Sequence, residues 1–239
     1  METMKQIMYG VTDFARIRAE NGYFVDRTAL IRELEKTPYA MFLRPRRFGK
    51  SLLCSILQCY YDIDYAGRFE EFFGGLDIGR EPTAERGKYL FIDFNFTGVE
   101  KRIDRVQDSF NEYCSERLDV FVERQAGRLP EGTTAAVLAK RTCHEKFNTL
   151  TMRLKGSGLA LYITIDEYDN FTNTILAESR ESYEALCHGD GFFKQFFNEL
   201  KLATTGTDAP VTRLFVTGVT PVTMDDVTSG FNIASNISL

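Results

Sequence analysis

The sequence contains no apolar run that approaches the ~18 residues needed to cross a membrane, and residues 1–5 lead into no signal-peptide core. It also lacks any Cys-x-x-Cys spacing, although it contains five cysteines. An odd number of cysteines, mostly within apolar helical patterns, is typical of free thiols in a reducing compartment. We therefore expect a soluble cytoplasmic protein without disulfides. The cysteines are Cys54, Cys59, Cys114, Cys143 and Cys187.

Positive charge is not in excess either. The chain has 29 basic and 34 acidic residues, a formal net charge of −5, so no overall positive field would attract DNA, RNA or an anionic membrane. Its 239 residues, of which 44% are hydrophobic, can bury the core of one large domain or two small ones. We see no internal repeat and no low-complexity linker.

Short apolar runs alternate with helical patterns along the chain. The pattern predicts strands at residues 39–43, 89–96, 159–165 and 211–219. It predicts helices after the first strand, over 99–124, over 134–154 and around the phenylalanine-rich stretch from residue 192. This alternation favours an α/β fold with a mainly parallel sheet, in which ligands bind at the carboxyl ends of the strands. Asp93 lies near one such end.

The segment from Arg44 to Ser51 reads Arg-Pro-Arg-Arg-Phe-Gly-Lys-Ser, which ends like a phosphate-binding loop but has arginine where that loop begins with glycine. Lys50 would reach the β and γ phosphates, and the Ser51 hydroxyl would bind Mg²⁺. Gly49 would let the backbone approach the phosphates. A basic loop before an ordinary helix is the alternative. The candidate phosphate contacts are Arg44, Arg46, Arg47, Phe48, Gly49, Lys50, Ser51 and Leu52.

The proline of this segment weakens the usual phosphate cradle, which is the set of backbone N–H groups that bind the phosphates. Pro45 has no amide donor and a fixed φ, so part of the cradle cannot form. Arg46 and Arg47 could compensate because their guanidinium groups bind phosphate through paired hydrogen bonds.

Residues 163–167 have the form of a second nucleotide motif, a hydrophobic strand that ends in two carboxylates. Asp166 would hold Mg²⁺, and Glu167 would activate the attacking water. Thr217, near the end of another predicted strand, could sense the γ phosphate; a strand-capping role is equally compatible. Solvated charges at a strand end are the alternative for the acidic pair. The two motifs, each after its own strand, favour nucleotide binding.

No segment of the guanine-reading form Asn-Lys-x-Asp or Thr-Lys-x-Asp occurs. Adenine is therefore the better prediction for the base, and we expect ATP and Mg²⁺ as ligands.

The sequence resembles the bacterial AAA-ATPase-like proteins of the P-loop ATPase superfamily. The resemblance rests on the segments that begin at Tyr9, Tyr23, Arg44, Ile165 and Thr217, of which Arg-Pro-Arg-Arg-Phe-Gly-Lys is the most specific. It implies a P-loop NTPase-type sheet with helices on both faces, formed by one domain over residues 1–239. It also implies that Arg44 is a family variation. In this family a lid and a nuclease-like domain usually follow, and we expect them beyond Leu239.

The missing segments affect the expected activity. An arginine that stabilises the transition state often comes from a lid or a neighbouring subunit and accelerates hydrolysis by ~10³-fold or more. The resemblance therefore implies slow ATP hydrolysis by this chain alone. The candidate macromolecular partners are further copies of this chain, in a homo-oligomer, and nucleic acid, which would bind through the domain expected beyond Leu239.

Two other functions remain open on the sequence alone. A nucleic-acid-binding module could use the basic loop residues Arg44, Arg46, Arg47 and Lys50, although the acidic remainder argues against a large footprint. A metal-dependent nuclease could combine Asp93 and Asp166 with the triplet Glu199-Leu200-Lys201, although this triplet reads more simply as the solvent face of a helix.

Overall fold

The computed structural model describes residues 5–221 and 233–238. Its strands are β1 (Tyr39–Leu43), β2 (Leu90–Asn95), β3 (Leu161–Asp166), β4 (Val211–Gly218) and β5 (Ser235–Asn236). They form one sheet in the order β2-β3-β4-β1-β5, and every neighbouring pair is parallel. The predicted α/β fold with a parallel sheet is confirmed, and the four predicted strands correspond to β1 through β4.

Helices connect these strands. Before the second strand the chain forms α1 (Phe14–Ala19), α2 (Leu30–Leu34), α3 (Lys50–Tyr61), α4 (Phe69–Phe73) and α5 (Asp77–Arg80). After it come α6 (Val106–Arg124), α7 (Thr133–Leu138), α8 (Cys143–Leu154), α9 (Asn170–Glu178), α10 (Arg180–Cys187) and α11 (Phe192–Ala203). Short 3₁₀ helices occupy Ile63–Arg68 and Phe96–Gly98.

Two of the predicted helices have different bounds. The helix predicted over 99–124 begins only at Val106. Val99 matched the helical pattern because it is apolar, but it is buried in the core outside the helix. The helix predicted over 134–154 is two helices. Thr142 and Glu145 form a capping box that starts α8, so the chain leaves the helical path between α7 and α8.

The sheet is covered on both faces, as expected from its apolar strands. One face, which includes Met41 and Ile163, packs against α6, α8 and α11 in one apolar cluster. The opposite face, which includes Ala40 and Tyr162, packs against α1, α3 and α4 in a second cluster. Every residue of β3 is buried, which is typical of a central parallel strand.

All five cysteines are buried, and no disulfide joins any two of them. Among the residues that the structure describes, no helix is both long and apolar enough to cross a membrane.

Candidate functional site

The turn between β1 and α3 has the backbone conformation that the glycine of the motif allows. Gly49 has a φ of 78°, and it directly precedes the first turn of α3. A Cβ at this position would meet no atom within 4 Å, so the left-handed φ, rather than crowding, favours glycine. The Leu53 amide donates to the Gly49 carbonyl at 2.9 Å and starts the helix. The loop therefore presents the amino end of a 12-residue helix.

Lys50 and Glu167 meet at this turn although they come from different elements. Lys50 is 4% exposed, and its Nζ lies 3.5 Å from Oε1 of Glu167. The same ammonium lies 3.4 Å from the Pro45 carbonyl oxygen. Glu167 directly follows β3 with a φ of 53°, an uncommon conformation for a residue with a side chain. The fold thus places a buried ammonium beside a partly exposed carboxylate.

Ser51 and Asp166 form the closest polar contact of the site. The Ser51 hydroxyl donates to Oδ2 of Asp166 at 2.5 Å, and the Glu167 amide donates to Oδ1 at 3.0 Å. Asp166 ends β3 and is 1% exposed. Burial raises the pKa of its carboxyl, and the hydrogen bond from Ser51 opposes that rise.

Asn95 is a site residue that the sequence analysis missed. It pairs with Asp166 in the register of β2 and β3, and its Nδ2 donates to Oδ2 of Asp166 at 3.2 Å. The signal was present, because Asn95 is a polar residue at the end of a predicted strand, as Asp166 is. Which two strand ends are neighbours depends on the strand order.

Thr217 lies within the sheet and not on the surface of the site. It is fully buried, and its hydroxyl donates to the Phe42 carbonyl of the neighbouring strand β1 at 2.7 Å. Asp169, three residues after the end of β3, accepts hydrogen bonds from the amides of Val219 and Thr220. Both residues stabilise the backbone around the ends of β3 and β4.

The arginines of the loop have separate surroundings. Arg44 donates to the carbonyl of Ser238, which follows β5, and its guanidinium lies 5.0 Å from the centre of the Phe42 ring. Arg46 and Arg47 are exposed. Phe48 is exposed as well, whereas Leu52 is half-buried on α3. The fold thus brings together Lys50, Ser51, Asp166 and Glu167, while the Arg44 side chain packs toward β5.

Open clefts lie on both sides of these residues. A cavity of about 300 Å³ is lined by Ser51, Asp93, Asn95 and Asp166, together with residues of α3 and the start of α1. A cavity of about 500 Å³ is lined by Arg46, Glu167 and residues of α9. Small polar ligands could therefore reach the loop before α3 and the acidic end of β3.

A family model described as a predicted AAA-ATPase matches residues 8–228. The chain belongs to the predicted AAA-ATPase family. No curated protein matches it. The turn from β1 to α3 contains Gly49, Lys50 and Ser51. In an AAA-ATPase-like chain, such a turn between a strand and a helix supports nucleotide binding in general. The expected lid and nuclease-like domain beyond Leu239 stay predictions.

AAA-ATPase-like proteins usually bind nucleotides together with Mg²⁺. The oxygen donors of this chain fit that ion. Ser51 supplies a hydroxyl and Asp166 a carboxylate, both hard ligands. Residues 5–221 and 233–238 contain no group of three His, Cys, Asp or Glu side chains that could form a complete metal site. Mg²⁺ needs no such group, because it keeps several waters and is shared with substrate phosphates.

The same geometry weighs against the two other functions. Glu199 pairs with His144 at 3.7 Å and lines a cavity that shares no residue with the one containing Asp93 and Asp166. Glu199 therefore does not meet Asp93 and Asp166 at one site, as the nuclease alternative would require. The nucleic-acid-binding alternative loses Lys50, which is buried, and Arg44, which contacts Ser238.

Proposed function

We propose that the chain is an ATP-binding module that hydrolyses ATP with Mg²⁺. The observation that carries this proposal is the 2.5 Å hydrogen bond between Ser51 and Asp166, next to the buried ammonium of Lys50. It joins the start of α3 to the end of β3, the two places from which a phosphate-bound Mg²⁺ draws protein ligands. Slow hydrolysis is expected where no arginine completes the site.

Lys50 is the proposed ligand of the β and γ phosphates. Its nearest acceptors, Glu167 and the Pro45 carbonyl, lie at 3.5 and 3.4 Å, which is long for a charge-assisted hydrogen bond. A phosphate oxygen would give this desolvated ammonium a closer partner. Arg46 and Arg47, both exposed beside the loop, would add charged contacts, while Gly49 allows the backbone to approach.

Ser51 and Asp166 are the proposed protein ligands of Mg²⁺. When bound, the ion would neutralise charge on the phosphate oxygens. Asn95 would hold the Asp166 carboxylate in place through the 3.2 Å hydrogen bond to Oδ2. Because burial raises the pKa of Asp166, a nearby cation would also favour its ionised form.

Glu167 is the proposed general base. Its carboxylate is partly exposed and pairs with Lys50, so phosphate binding to Lys50 would release it toward water. Thr217 would act as a positioning residue, because its hydroxyl holds β4 against β1 at the level of Phe42. We assign adenine as the base because the chain has no guanine-reading segment.

A thermal-shift series with Mg·ATP, Mg·GTP and double-stranded DNA tests this proposal. A ligand at ~100 times its dissociation constant stabilises by about 2.7 kcal/mol, which raises the melting temperature of a chain of this size by roughly 5–10 °C. We expect this shift with ATP and a smaller one with GTP. A salt-dependent shift with DNA, together with none at millimolar ATP, would instead support the nucleic-acid-binding alternative.

The role of Glu167 is tested separately with Glu167→Gln. The amide keeps the size of the side chain but cannot accept a proton from water, so we expect ATP binding to persist and phosphate release to stop. Phosphate release over hours of incubation is the measurement, with the wild-type chain as reference. Loss of ATP binding in this variant would contradict the role as general base.

A further inference from the structure

Two of the five cysteines lie where α6 packs against the start of α8. Cys114 is on α6, and Cys143 is the first residue of α8. The Cys143 amide donates to Oδ1 of Asn111 at 2.7 Å, and Asn111 lies one helical turn before Cys114 on the same helix. This contact holds the start of α8 against the turn of α6 that carries Cys114, and both cysteines belong to one apolar cluster.

The two thiols differ in access. Cys114 is fully buried, whereas Cys143 is 8% exposed and lines a cavity of about 370 Å³. The cavity walls include the rings of Phe110, Phe147 and Phe196, together with polar groups of Asn111 and others. A small neutral oxidant could therefore reach Cys143 but not Cys114.

The two thiols also differ in acidity. The hydrogen bond from Cys114 lowers the pKa of Cys143, with smaller contributions from the His144 amide and the Lys146 ammonium. Burial raises the pKa of Cys114 well above its usual value. Cys143 is thus the better nucleophile of the pair, and Cys114 is the protonated partner.

Cys54 and Cys59 on α3 differ from this pair in acidity. Cys59 on α3 is 5% exposed, and burial raises its pKa to about 12. Cys54 is also buried, and burial together with the nearby carboxylates of Asp166 and Asp93 raises its pKa. These thiols are expected to be unreactive in the folded protein.

We propose that Cys114 and Cys143 form a thiol-oxidation site, at which a peroxide converts the pair into a reversible disulfide. The proposal stands on the packing of the start of α8 against the turn of α6 that carries Cys114, and on the cavity that opens at Cys143. It does not depend on nucleotide binding, because neither cysteine belongs to the proposed ATP site. Disulfides in cytosolic proteins are usually transient ones of this kind.

The chemistry needs two steps. The Cys143 thiolate attacks one oxygen of hydrogen peroxide, the O–O bond breaks, and the leaving hydroxide takes a proton to become water. Cys143 is then a sulfenic acid. The Cys114 sulfur attacks the Cys143 sulfur, the S–O bond breaks, and the departing hydroxide takes the Cys114 proton. The two thiols lose two electrons in total, and the peroxide is reduced to two molecules of water.

Peptide mapping of the folded full chain after peroxide treatment tests this proposal. After a brief exposure to hydrogen peroxide, remaining thiols are alkylated under denaturing conditions and the digest is analysed by mass spectrometry. We expect two of the five thiols to resist alkylation and a linked peptide that joins Cys114 to Cys143. Dithiothreitol should restore both. A disulfide between other cysteines, or oxidation of Cys143 to the sulfinic acid without a linked peptide, would overturn the proposal.

Serine variants assign the two roles. Cys143→Ser should abolish the linked peptide, whereas Cys59→Ser, which removes another buried thiol, should leave it unchanged. Cys114→Ser should stop the reaction at the sulfenic acid of Cys143, which dimedone traps. Serine is close to cysteine in size, and Thr142 remains the N-cap of α8, so Cys143→Ser is expected to fold. Should it not fold, dimedone labelling in Cys114→Ser still decides, because its absence would contradict the proposal.

Discussion

Two buried lysines of this chain have different surroundings. Lys146 on α8 is 6% exposed and donates a hydrogen bond to Asp119 of α6. Lys50 on α3 is 4% exposed, but the carboxylate of Glu167 is 3.5 Å away and the carbonyl of Pro45 is 3.4 Å away. Lys146 joins two helices of one packing layer. Lys50 begins α3, and its neighbours Ser51 and Glu167 line open clefts.

The difference shows how to decide whether a buried charged side chain stabilises the fold or binds a ligand. Both ammonium groups have lost water, which costs free energy unless a partner replaces it. Lys146 has its partner within the fold. The long contacts of Lys50 leave it able to gain a closer one, and a phosphate oxygen would be such a partner. Burial alone would not distinguish the two lysines, whereas the distance to their acceptors does.

The largest expected effect is on ligand binding by Lys50→Ala. Removing one member of a buried charged contact typically costs about 2–5 kcal/mol, so the affinity for Mg·ATP should fall by about 30-fold or more. Isothermal titration measures the affinity, and a thermal scan checks that the variant is folded. An unchanged ATP-induced thermal shift would exclude Lys50 as a phosphate ligand.

Lys146→Ala should lower the stability of the fold and leave ATP binding unchanged. Breaking a buried ion pair destabilises by about 3–5 kcal/mol, and we expect about 2–3 because Asp119 is 32% exposed and partly solvated. The ATP-induced shift should stay, measured from the lower melting temperature of the variant. Urea unfolding gives the stability. If this variant bound ATP as poorly as Lys50→Ala, the contrast between the two lysines would not hold.

The same comparison can be made between two buried carboxylates, Asp62 and Asp166, which are both 1% exposed. Asp166 contacts Ser51 and Asn95 at the site, while Asp62 precedes a 3₁₀ helix and faces Arg124 at 3.5 Å. Burial raises the pKa of Asp62 to about 6. The native state therefore keeps a proton that the unfolded chain has lost, and the free energy of unfolding should fall as the pH rises from about 4 to about 6.

Asp62→Asn tests this pH dependence. The amide cannot titrate but can still accept the Asp64 amide hydrogen bond, so about 1–2 kcal/mol of the decrease between pH 4 and pH 6 should disappear. Urea unfolding at several pH values measures it, and ATP binding should be unaffected. Because Asp93 and Asp166 also have raised pKa values, the difference between variant and wild type is the informative quantity. Parallel curves would contradict the assignment.

The sequence predicted most of the strands and the four residues that meet at the site. Apolar runs of five to eight residues identify buried strands, and polar residues directly after them must lie at one edge of a parallel sheet. Asp166 and Glu167 could be placed on this basis, whereas Lys50 and Ser51 could be grouped with them through the phosphate-binding-loop pattern that follows β1. The helix bounds were less predictable. The Thr142 and Glu145 capping signal was present in the sequence, but the apolar pattern continued across it.

What sequence reasoning missed depends on contacts between distant residues. Asn95 joins the site only because β2 and β3 are neighbours in a particular register. The Arg44 side chain contacts Ser238, 194 residues away, through the pairing of β5 with β1. Local spacing gives no information about either contact. For the same reason, the loop pattern alone could not distinguish an arginine that faces the phosphates from one that packs against the sheet edge.

The smallest expected effect separates Arg46 from Arg44. Arg46 is exposed and lines the cavity that contains Glu167, so Arg46→Ala should weaken Mg·ATP binding by about three- to tenfold, and less at high salt because exposed charges are screened. Arg44→Ala is the matched control. It should leave ATP affinity nearly unchanged but speed hydrogen exchange of the Ile237 amide, which donates to Met41 in the pairing that the Arg44 contact supports. If Arg44→Ala instead lowered ATP affinity as much as Arg46→Ala, without faster exchange at Ile237, its guanidinium would have to turn from Ser238 to the phosphates on binding.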